Sequence, residues 1–448
     1  MSPVRPGGVD SAYETSDLVT PPPEKTRLDL ILQSLSRITS PTVLADLHSP
    51  QRRAAEWIAD DDLRPLPDGM PVPHDDYPRL YQRYSLAVLY MSSDGPKWNE
   101  RLNFLSDSHE CDWNDGVWND ELGDYESKGA FCDPSMTVFD LVLYDNGLKG
   151  TLAREVGSLH ALRGFSVFMN ELGGTIPSSV GNLRLMVRFD LGRNLFWSMM
   201  PNECMNMIHV EEFMLDGNDL TGTIPQELPS SFPNLRHLGL GANTLGGSLP
   251  PNLGNLRRLK KLELGSNRIE GRIPSSIGSL RSLTVLDLSD NRLTGEIPPE
   301  AFDLELASTV DLSGNALRGT IPLRDEGGSL PSMKYLRLFG NGLRGSIPSA
   351  IGTLGDAREI LLDDNNLRGR IPESIGDLAS VRVLGLSRND LTGPIPVNLA
   401  RCAEAEVILL GENGLTGTIP PVLFNPREGP ADLAVLSLEE NRLTGPIP

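Results

Sequence analysis

The sequence has few of the residues that most catalytic and metal sites use. Its 448 residues include four cysteines and six histidines. The cysteines form no CxxC pair and no zinc-like spacing with histidine, and they are too few for a small fold held together by disulfides. No HExxH motif, GxSxG motif or phosphate-binding P-loop occurs. We therefore expect no catalytic residue, no cofactor and no metal ion, and predict that the protein is not an enzyme.

Positive charge is also scarce. Forty Lys and Arg residues stand against sixty Asp and Glu residues, which gives a formal net charge of −20. Most of such a surface repels a nucleic-acid duplex or an anionic membrane, so nucleic-acid binding is not expected. No apolar run approaches the roughly 20 residues of a membrane span, and the first thirty residues contain none of signal-peptide length. The chain is predicted to contain neither a membrane span nor an export signal.

What the sequence does contain is one short pattern that recurs thirteen times. An example is LTVLDLSDNRLTGEIP, from Leu283 to Pro298, in which alternating leucines precede a central asparagine. Most successive copies of that asparagine are 24 residues apart, and this period is typical of a solenoid. The asparagines that centre the repeats are Asn146, Asn170, Asn194, Asn218, Asn243, Asn267, Asn291, Asn315, Asn341, Asn365, Asn389, Asn413 and Asn441.

Each part of the repeat has a physical role. The alternating leucines indicate a short strand that points its leucines inward and the residues between them outward, and stacked turns would pair such strands in parallel. The asparagine amide can both donate to and accept from backbone groups that would otherwise be buried without partners. The following glycine permits a tight path, and the proline of Ile-Pro resists helix continuation. The return on the convex side is therefore expected to be irregular or 3₁₀.

The pattern LxxLxLxxNxLxGxIP resembles the plant-type leucine-rich-repeat family of receptor-like ectodomains, from about Val138 to the last residue. This resemblance implies an α/β solenoid, a right-handed leucine-rich-repeat superhelix with a parallel concave sheet, an irregular or 3₁₀ convex side and a helical N-terminal cap. It also implies a non-catalytic recognition function. A kinase domain, which many plant receptors of this type carry, does not occur in this chain.

The N-terminal part of the sequence divides into three segments before the repeats. Residues 1–25 are rich in Pro, Gly and Ser and are predicted to be a disordered tail. Residues 26–76 are predicted to form short helices and a Pro-rich linker, and 77–135 an N-terminal cap. The repeats then occupy 136–448, without a C-terminal cap. One apolar stripe in the cap needs a partner, for which the open first turn of the solenoid is the expected surface: Leu80, Tyr84, Ala87, Val88 and Met91.

The cap sequence resembles the N-terminal cap of plant-type receptor and inhibitor ectodomains. In those caps a helix, a Trp, a Cys-x-Trp and a second Cys precede the first repeat, and the matching positions here are Trp98, Cys111, Trp113 and Cys132. The resemblance implies a disulfide between Cys111 and Cys132. The segment before the cap is closer in style to the large leucine-rich-repeat families of diatoms and related algae.

The outward positions of the strands are expected to form an acidic concave face. Four positions per repeat, at six, four, two and one residues before the asparagine, contain fifteen acids and five bases. A concave surface of one sign focuses its field and favours a cationic partner; acidic residues at exposed positions of an acidic protein explain the excess equally well. The bases are Arg188, Arg193, Lys261, Arg337 and Arg388, and the acids are Asp140, Asp145, Asp190, Glu212, Asp216, Glu263, Asp287, Asp290, Asp311, Glu359, Asp363, Asp364, Glu412, Glu439 and Glu440.

One part of this face has the composition of an interface hot spot. Aromatic and arginine side chains within one patch are typical of such sites, and one predicted strand presents both between two acidic strands. We predict that this patch binds a peptide or protein ligand. Its residues are Tyr335, Arg337, Phe339, Asp311, Glu359, Leu361 and Asp363.

Three functions are compatible with these features. The first is the ligand-binding part of a receptor-like protein at the cell surface or outside the cell. The second is a secreted inhibitor, since such caps and repeats also resemble inhibitors of polygalacturonases, and the third is an intracellular interaction scaffold. The open last repeat and the absence of a leader lead to the hypothesis that the chain is a fragment or an incomplete gene model whose membrane anchor lies outside it.

Overall fold

The alternating leucines of the repeats form a long concave sheet. A computed structural model describes residues 25–61, 77–115, 127–324, 330–425 and 427–447. Fourteen short strands form the concave sheet; the first two pair antiparallel and the others pair in parallel in chain order. The predicted parallel solenoid is thus confirmed. The strands are Gly129–Cys132, Val138–Val142, Gly164–Ser166, Arg188–Asp190, Glu212–Met214, His237–Gly239, Lys261–Glu263, Val285–Asp287, Thr309–Asp311, Tyr335–Arg337, Glu359–Leu361, Val383–Gly385, Val407–Leu409 and Val435–Ser437.

The inward residues of these strands form one continuous hydrophobic core. The leucines at the centre of the strands are almost completely buried, except for the partly buried Leu436 in the last strand, as expected from the two-residue alternation of a strand. Phenylalanine takes this position in the early repeats: Phe165, Phe189 and Phe213 stack with ring centroids 6.1 and 5.7 Å apart, and Phe232 continues the stack at 5.3 Å. The larger rings fill the core next to the N-terminal cap.

The residues after twelve of the thirteen asparagines form additional parallel strands, which the sequence did not predict; those after Asn243 form only isolated bridges. These strands make an eight-stranded and a four-stranded sheet on one flank of the solenoid, called here the lateral sheets. The eight-stranded lateral sheet contains Glu270–Gly271, Arg292–Glu296, Ala316–Gly319, Gly342–Gly345, Asn366–Gly369, Asp390–Pro394, Gly414–Gly417 and Arg442–Leu443, and the four-stranded one contains Lys149–Thr151, Glu171–Gly174, Leu195–Met199 and Asp219–Thr221.

The expected 3₁₀ turns follow on the convex side. The proline of the repeat precedes most of them in extended conformation, so the chain enters each turn after a residue with fixed φ. One turn is instead a short α-helix, Leu228–Ser231. The 3₁₀ segments of the described chain are Gly95–Lys97, Glu110–Asp112, Arg154–Ser158, Ser178–Asn182, Asn202–Asn206, Leu253–Asn255, Ser275–Ser279, Pro299–Phe302, Ser349–Thr353, Glu373–Asp377, Val397–Arg401 and Pro421–Phe424.

The central asparagines hold neighbouring turns together. In a typical repeat, Asn267 Nδ2 donates to the carbonyl oxygens of Leu240 and Leu264, 2.9 and 3.1 Å away. Its Oδ1 accepts from the Leu245 amide at 2.9 Å. The first asparagine, Asn146, makes the same kind of contacts to the cap, since it binds both backbone groups of Glu100. Backbone polar groups at the end of each strand are therefore paired inside the core.

In the described part of the chain, four α-helices precede the repeats: α1 (Arg27–Leu35), α2 (Pro41–Ala45), α3 (Pro50–Asp60) and α4 (Tyr77–Ser92). The prediction that the apolar stripe on α4 packs against the open first turn of the solenoid was wrong in part. Tyr84, Ala87 and Val88 pack chiefly against α1 and α3, whereas Leu86, Leu89 and Tyr90 on the other side of the helix join the core of the repeats. Because α4 is apolar on two sides, it joins the helical layer to the solenoid.

The helical layer is also tied to the first repeat by polar contacts. Glu155, buried in the first 3₁₀ turn of the repeats, accepts from Thr39 Oγ1 at 2.7 Å and from Gln51 Nε2 at 3.1 Å.

In the structure Cys111 and Cys132 are joined by a disulfide, whereas Cys204 and Cys402 are buried thiols. Segments before and after α4 thus form one N-terminal unit with the cap.

Several sequence predictions lie outside the described residues. They are the tail, apart from Lys25, and the Pro-rich linker of 62–76. In the part of the chain that the structure describes, no helix has the length and apolar character needed to cross a bilayer.

Candidate functional site

The predicted patch is assembled from three neighbouring strands of the concave sheet. Parallel pairing places Tyr335 beside Glu359, and Arg337 between Asp311 and Leu361. These side chains alternate with the fully buried Leu336 and its equivalents, so they point away from the core. Five of the seven predicted residues lie on these strands, Phe339 and Asp363 each lie two residues beyond one of them, and all seven are half-buried.

Arg337 lies at the centre of the patch, where it binds two carboxylates of the same chain. Its Nε donates to Glu359 Oε1, and its Nη1 lies 3.5 Å from Asp311 Oδ2. The guanidinium carbon is 5.6 Å from the centre of the Tyr335 ring. Arg337 is therefore held against its neighbours and orders the patch. Its contact with a ligand stays a prediction.

Burial withdraws the carboxylates of this region from water. Desolvation raises the pKa of Asp311 and that of Asp363 above the usual range, while hydrogen bonds from Ser313 and from the Ser387 amide, respectively, oppose the change. The hydrogen bond with Glu359 raises the pKa of Arg337 further. A cationic ligand group would relieve the desolvated carboxylates, because an opposite charge favours their ionised form.

Asp363 belongs to the same face but turns away from the aromatic residues. Its Oδ1 accepts from the Ser387 amide at 2.9 Å, and its carboxylate lies over Gly385 of the next repeat. The structure therefore brings together Tyr335 and the Arg337 ion pairs, and places Phe339 and Asp363 two residues beyond the ends of their strands.

Pairing of arginine with acids from neighbouring repeats recurs along the concave face. Arg388 Nε lies 2.8 Å from Glu412 Oε1, and its Nη1 lies 3.4 Å from Asp364 Oδ1. His237 is likewise bound to Glu263, and this contact lowers the pKa of the glutamate. Since acids outnumber bases on this face, such pairing leaves the surface acidic.

A second feature, at the N-terminal end of the concave sheet, was not predicted. Two adjoining cavities of about 930 and 330 Å³ share Phe139 and Arg163. Asp140 lines the smaller one, where its Oδ2 lies 3.4 Å from Arg188 Nη2. The two side chains meet across Gly164, at which a Cβ would lie 2.2 Å from Asp140 Oδ1. The common repeat position of these three residues was the signal that could have predicted the pair.

Asp140 is expected to make stability depend on pH. Burial raises its pKa to about 6 from an ordinary value of 3.8, although Arg188 opposes the shift. Because the folded-state pKa is the higher one, Asp140 favours folding most below pH 4, and that contribution is lost as the pH rises through 6. The difference in unfolding free energy between wild type and Asp140→Asn should fall by about 2 kcal/mol between pH 4 and pH 7. Urea unfolding at four pH values measures it; a constant difference would contradict the shift.

A family model of the Leucine rich repeat matches residues 257–317, and a second Leucine Rich Repeat model matches 234–256 and 332–354. No curated protein matches the chain. Among solved structures, PEPR1–AtPEP1 is 33% identical with a TM-score of 0.67, covering 71% of this chain and 44% of that one.

Two further structures show the range of similar proteins. The Arabidopsis receptor kinase HAESA, in complex with the peptide hormone IDA and the co-receptor SERK1, is 29% identical with a TM-score of 0.65, covering 74% of this chain and 55% of that one. A plant ice-binding protein is 26% identical with a TM-score of 0.53, covering 65% and 88%. The alignment thus spans about half of each receptor chain.

Proposed function

We propose that this chain, a leucine-rich-repeat protein, is a non-catalytic recognition module that binds a peptide or protein ligand on its concave face. Its setting would be a receptor-like protein at the cell surface or outside the cell. The observation that carries the proposal is the cluster of Tyr335 and the ion-paired Arg337 between two strands that supply Asp311 and Glu359. The resemblance to diatom families stays a prediction.

The chemistry of the patch favours a ligand with a basic side chain. The Tyr335 ring offers a face for a cation, and the desolvated carboxylate of Asp311 lies in the same patch, beside Arg337. Since Arg337 is already neutralised by two acids, the patch does not repel a cation. An aliphatic stem could pack against Phe339 while its charged end reaches the acids.

A structural similarity supports the ligand class, and a disulfide supports the location. Receptor structures with related folds were determined with a peptide hormone, as the HAESA complex with IDA shows for that protein. A disulfide such as Cys111–Cys132 persists mainly outside the reducing cytosol. This favours an extracellular module over the intracellular scaffold.

A selection from a displayed library of random 12-residue peptides tests the proposal. Peptides enriched on the wild-type protein are expected to be rich in Lys and Arg. The double variant Tyr335→Ala with Phe339→Ala should bind them about thirtyfold more weakly, as for interface hot spots. Its melting temperature should stay within about 2 °C of wild type, because both side chains lie outside the core.

Phe424→Ala provides the matched control. Phe424 is a half-exposed aromatic residue in a convex 3₁₀ turn, so its loss should leave peptide affinity unchanged. If the double variant loses melting temperature together with peptide affinity, Tyr335 and Phe339 are core residues and the proposal fails. Enriched peptides that bind the double variant as well as wild type would place the site elsewhere.

A further inference from the structure

A row of exposed arginines crosses the eight-stranded lateral sheet. Arg318, Arg344 and Arg368 occupy the same position of three consecutive repeats, three residues after the central asparagine, and Arg370 follows two residues later. These four residues are called here the arginine stripe. Each of the first three lies directly after a fully buried leucine, so strand alternation directs it into solvent.

The arginine stripe differs from the arginines of the concave face. Arg337 and Arg388 each bind carboxylates of both neighbouring repeats. Within the described residues, by contrast, no carboxylate forms an ion pair with any guanidinium of the stripe. Two acids, Glu296 and Asp390, lie at its ends, opposite Arg318 and Arg368 in the strand register.

This concentration of positive charge is unexpected in a chain of net charge −20. The arginines are diagonal neighbours that repel one another, and the register places an acid opposite Arg318 and Arg368 but an uncharged residue opposite Arg344. Arg370 extends the row, since its stem lies over Gly393 of the next repeat, with Cγ 2.9 Å from where a Cβ would stand. An anionic partner would remove the repulsion.

The strand register sets the spacing of the stripe. Arg318 pairs with Gly342, and Arg344 with Asn366, so each arginine is displaced by two residues from the next. Diagonal neighbours of this kind lie roughly 7–8 Å apart. Alternate residues of an extended peptide face one side and recur at about 6.6–6.8 Å. One carboxylate from every second residue of an extended peptide therefore matches one arginine of the stripe.

We infer that the arginine stripe binds an extended acidic peptide segment of a partner protein, with Asp or Glu at alternate positions. Paired hydrogen bonds from guanidinium to carboxylate would supply both affinity and register. The surface lies on the flank of the solenoid, separate from the acidic concave face, and the inference does not rest on the function proposed for that face. The two surfaces would recognise ligands of opposite charge.

Fluorescence anisotropy with two labelled peptides tests the inference. One 12-residue peptide alternates Glu and Ser, and the other has the same composition arranged as alternating Glu-Glu and Ser-Ser pairs, so that no two of its Glu residues are two positions apart. The alternating peptide should bind wild type at least tenfold more tightly than the paired peptide, with affinity falling as salt rises. Arg344→Glu with Arg368→Glu should reduce its affinity at least tenfold.

Matched variants separate the stripe from net charge. Arg257→Glu with Arg258→Glu changes the charge equally at exposed positions outside the lateral sheet and should leave binding within about twofold. Arg344→Lys with Arg368→Lys should bind more weakly than wild type, because lysine lacks the bidentate geometry. The variant lacking Tyr335 and Phe339 side chains should bind the acidic peptide normally.

Three outcomes would overturn the inference. They are equal affinity for the two peptides, unchanged binding by the Arg344→Glu and Arg368→Glu variant with intact circular dichroism, and tighter binding of heparin or a 12-residue oligothymidylate than of the alternating peptide. The last result would assign the stripe to another class of polyanion.

Discussion

Arg83→Ala should lower the free energy of unfolding by about 4 kcal/mol, the range found when one partner of a buried ion pair is removed. Arg83 Nη1 lies 3.1 Å from Glu110 Oε2, and both side chains are almost completely buried. The guanidinium also lies 4.9 Å from the ring centres of both Trp57 and Trp113. The substitution leaves the Glu110 carboxylate without this partner and opens a space between two indole rings.

Urea titration followed by tryptophan fluorescence measures this effect, because Trp57, Trp98 and Trp113 all lie in the N-terminal unit. We expect the cap transition to move to lower urea while the repeats unfold later, since solenoid repeats contact mainly their neighbours. The double variant Arg83→Met with Glu110→Gln removes both charges and should recover more than half of the loss. A loss below about 1 kcal/mol for Arg83→Ala would mean that water screens the pair.

Asn267→Ala should have the second largest effect and lower the free energy of unfolding by about 3 kcal/mol. The substitution leaves the carbonyl oxygens of Leu240 and Leu264 and the Leu245 amide without their side-chain partner inside the core. Each buried polar group that loses its partner costs about 1–3 kcal/mol, and the costs of these three groups do not add in full.

Asn255→Ala is the matched control for this substitution. Asn255 is exposed at the end of a 3₁₀ turn, and its replacement should change stability by less than about 0.5 kcal/mol. Both variants are compared by urea unfolding monitored by circular dichroism. Equal stability of the two would show that water replaces the amide of Asn267, and the central asparagines would then not be needed to pair the strand ends.

The patch around Tyr335 shows how far residue type and spacing predict a site. The pattern placed Tyr335, Arg337 and Phe339 on one outward face, and the structure brings them together there. The sequence pattern could not show that Arg337 forms ion pairs with Asp311 and Glu359, because a long arginine side chain can reach several acids. Only side-chain packing decides which acids Arg337 binds, and in the structure these ion pairs let Arg337 order the patch.

The helical layer shows a different limit. Spacing alone predicted helices over the segments now seen as α1, α3 and α4. It gave α4 a single apolar stripe, whereas Leu86 and Leu89 on the other side are equally buried. A helix that is apolar on two sides does not show in its sequence which side faces which partner.

The sequence by itself determined which residues of each repeat face the core, because two-residue alternation and a period near 24 leave one arrangement that buries the leucines. Only the tertiary structure decided which outward side chains meet. On the concave sheet, strands pair at equal repeat positions, so Asp140, Gly164 and Arg188 come into line. On the lateral sheet they pair two residues out of step, as Arg344 with Asn366. This difference in register arises because a curved solenoid spans a longer arc per repeat outside its concave face. Aligning the repeat sequences with one another does not reveal this difference.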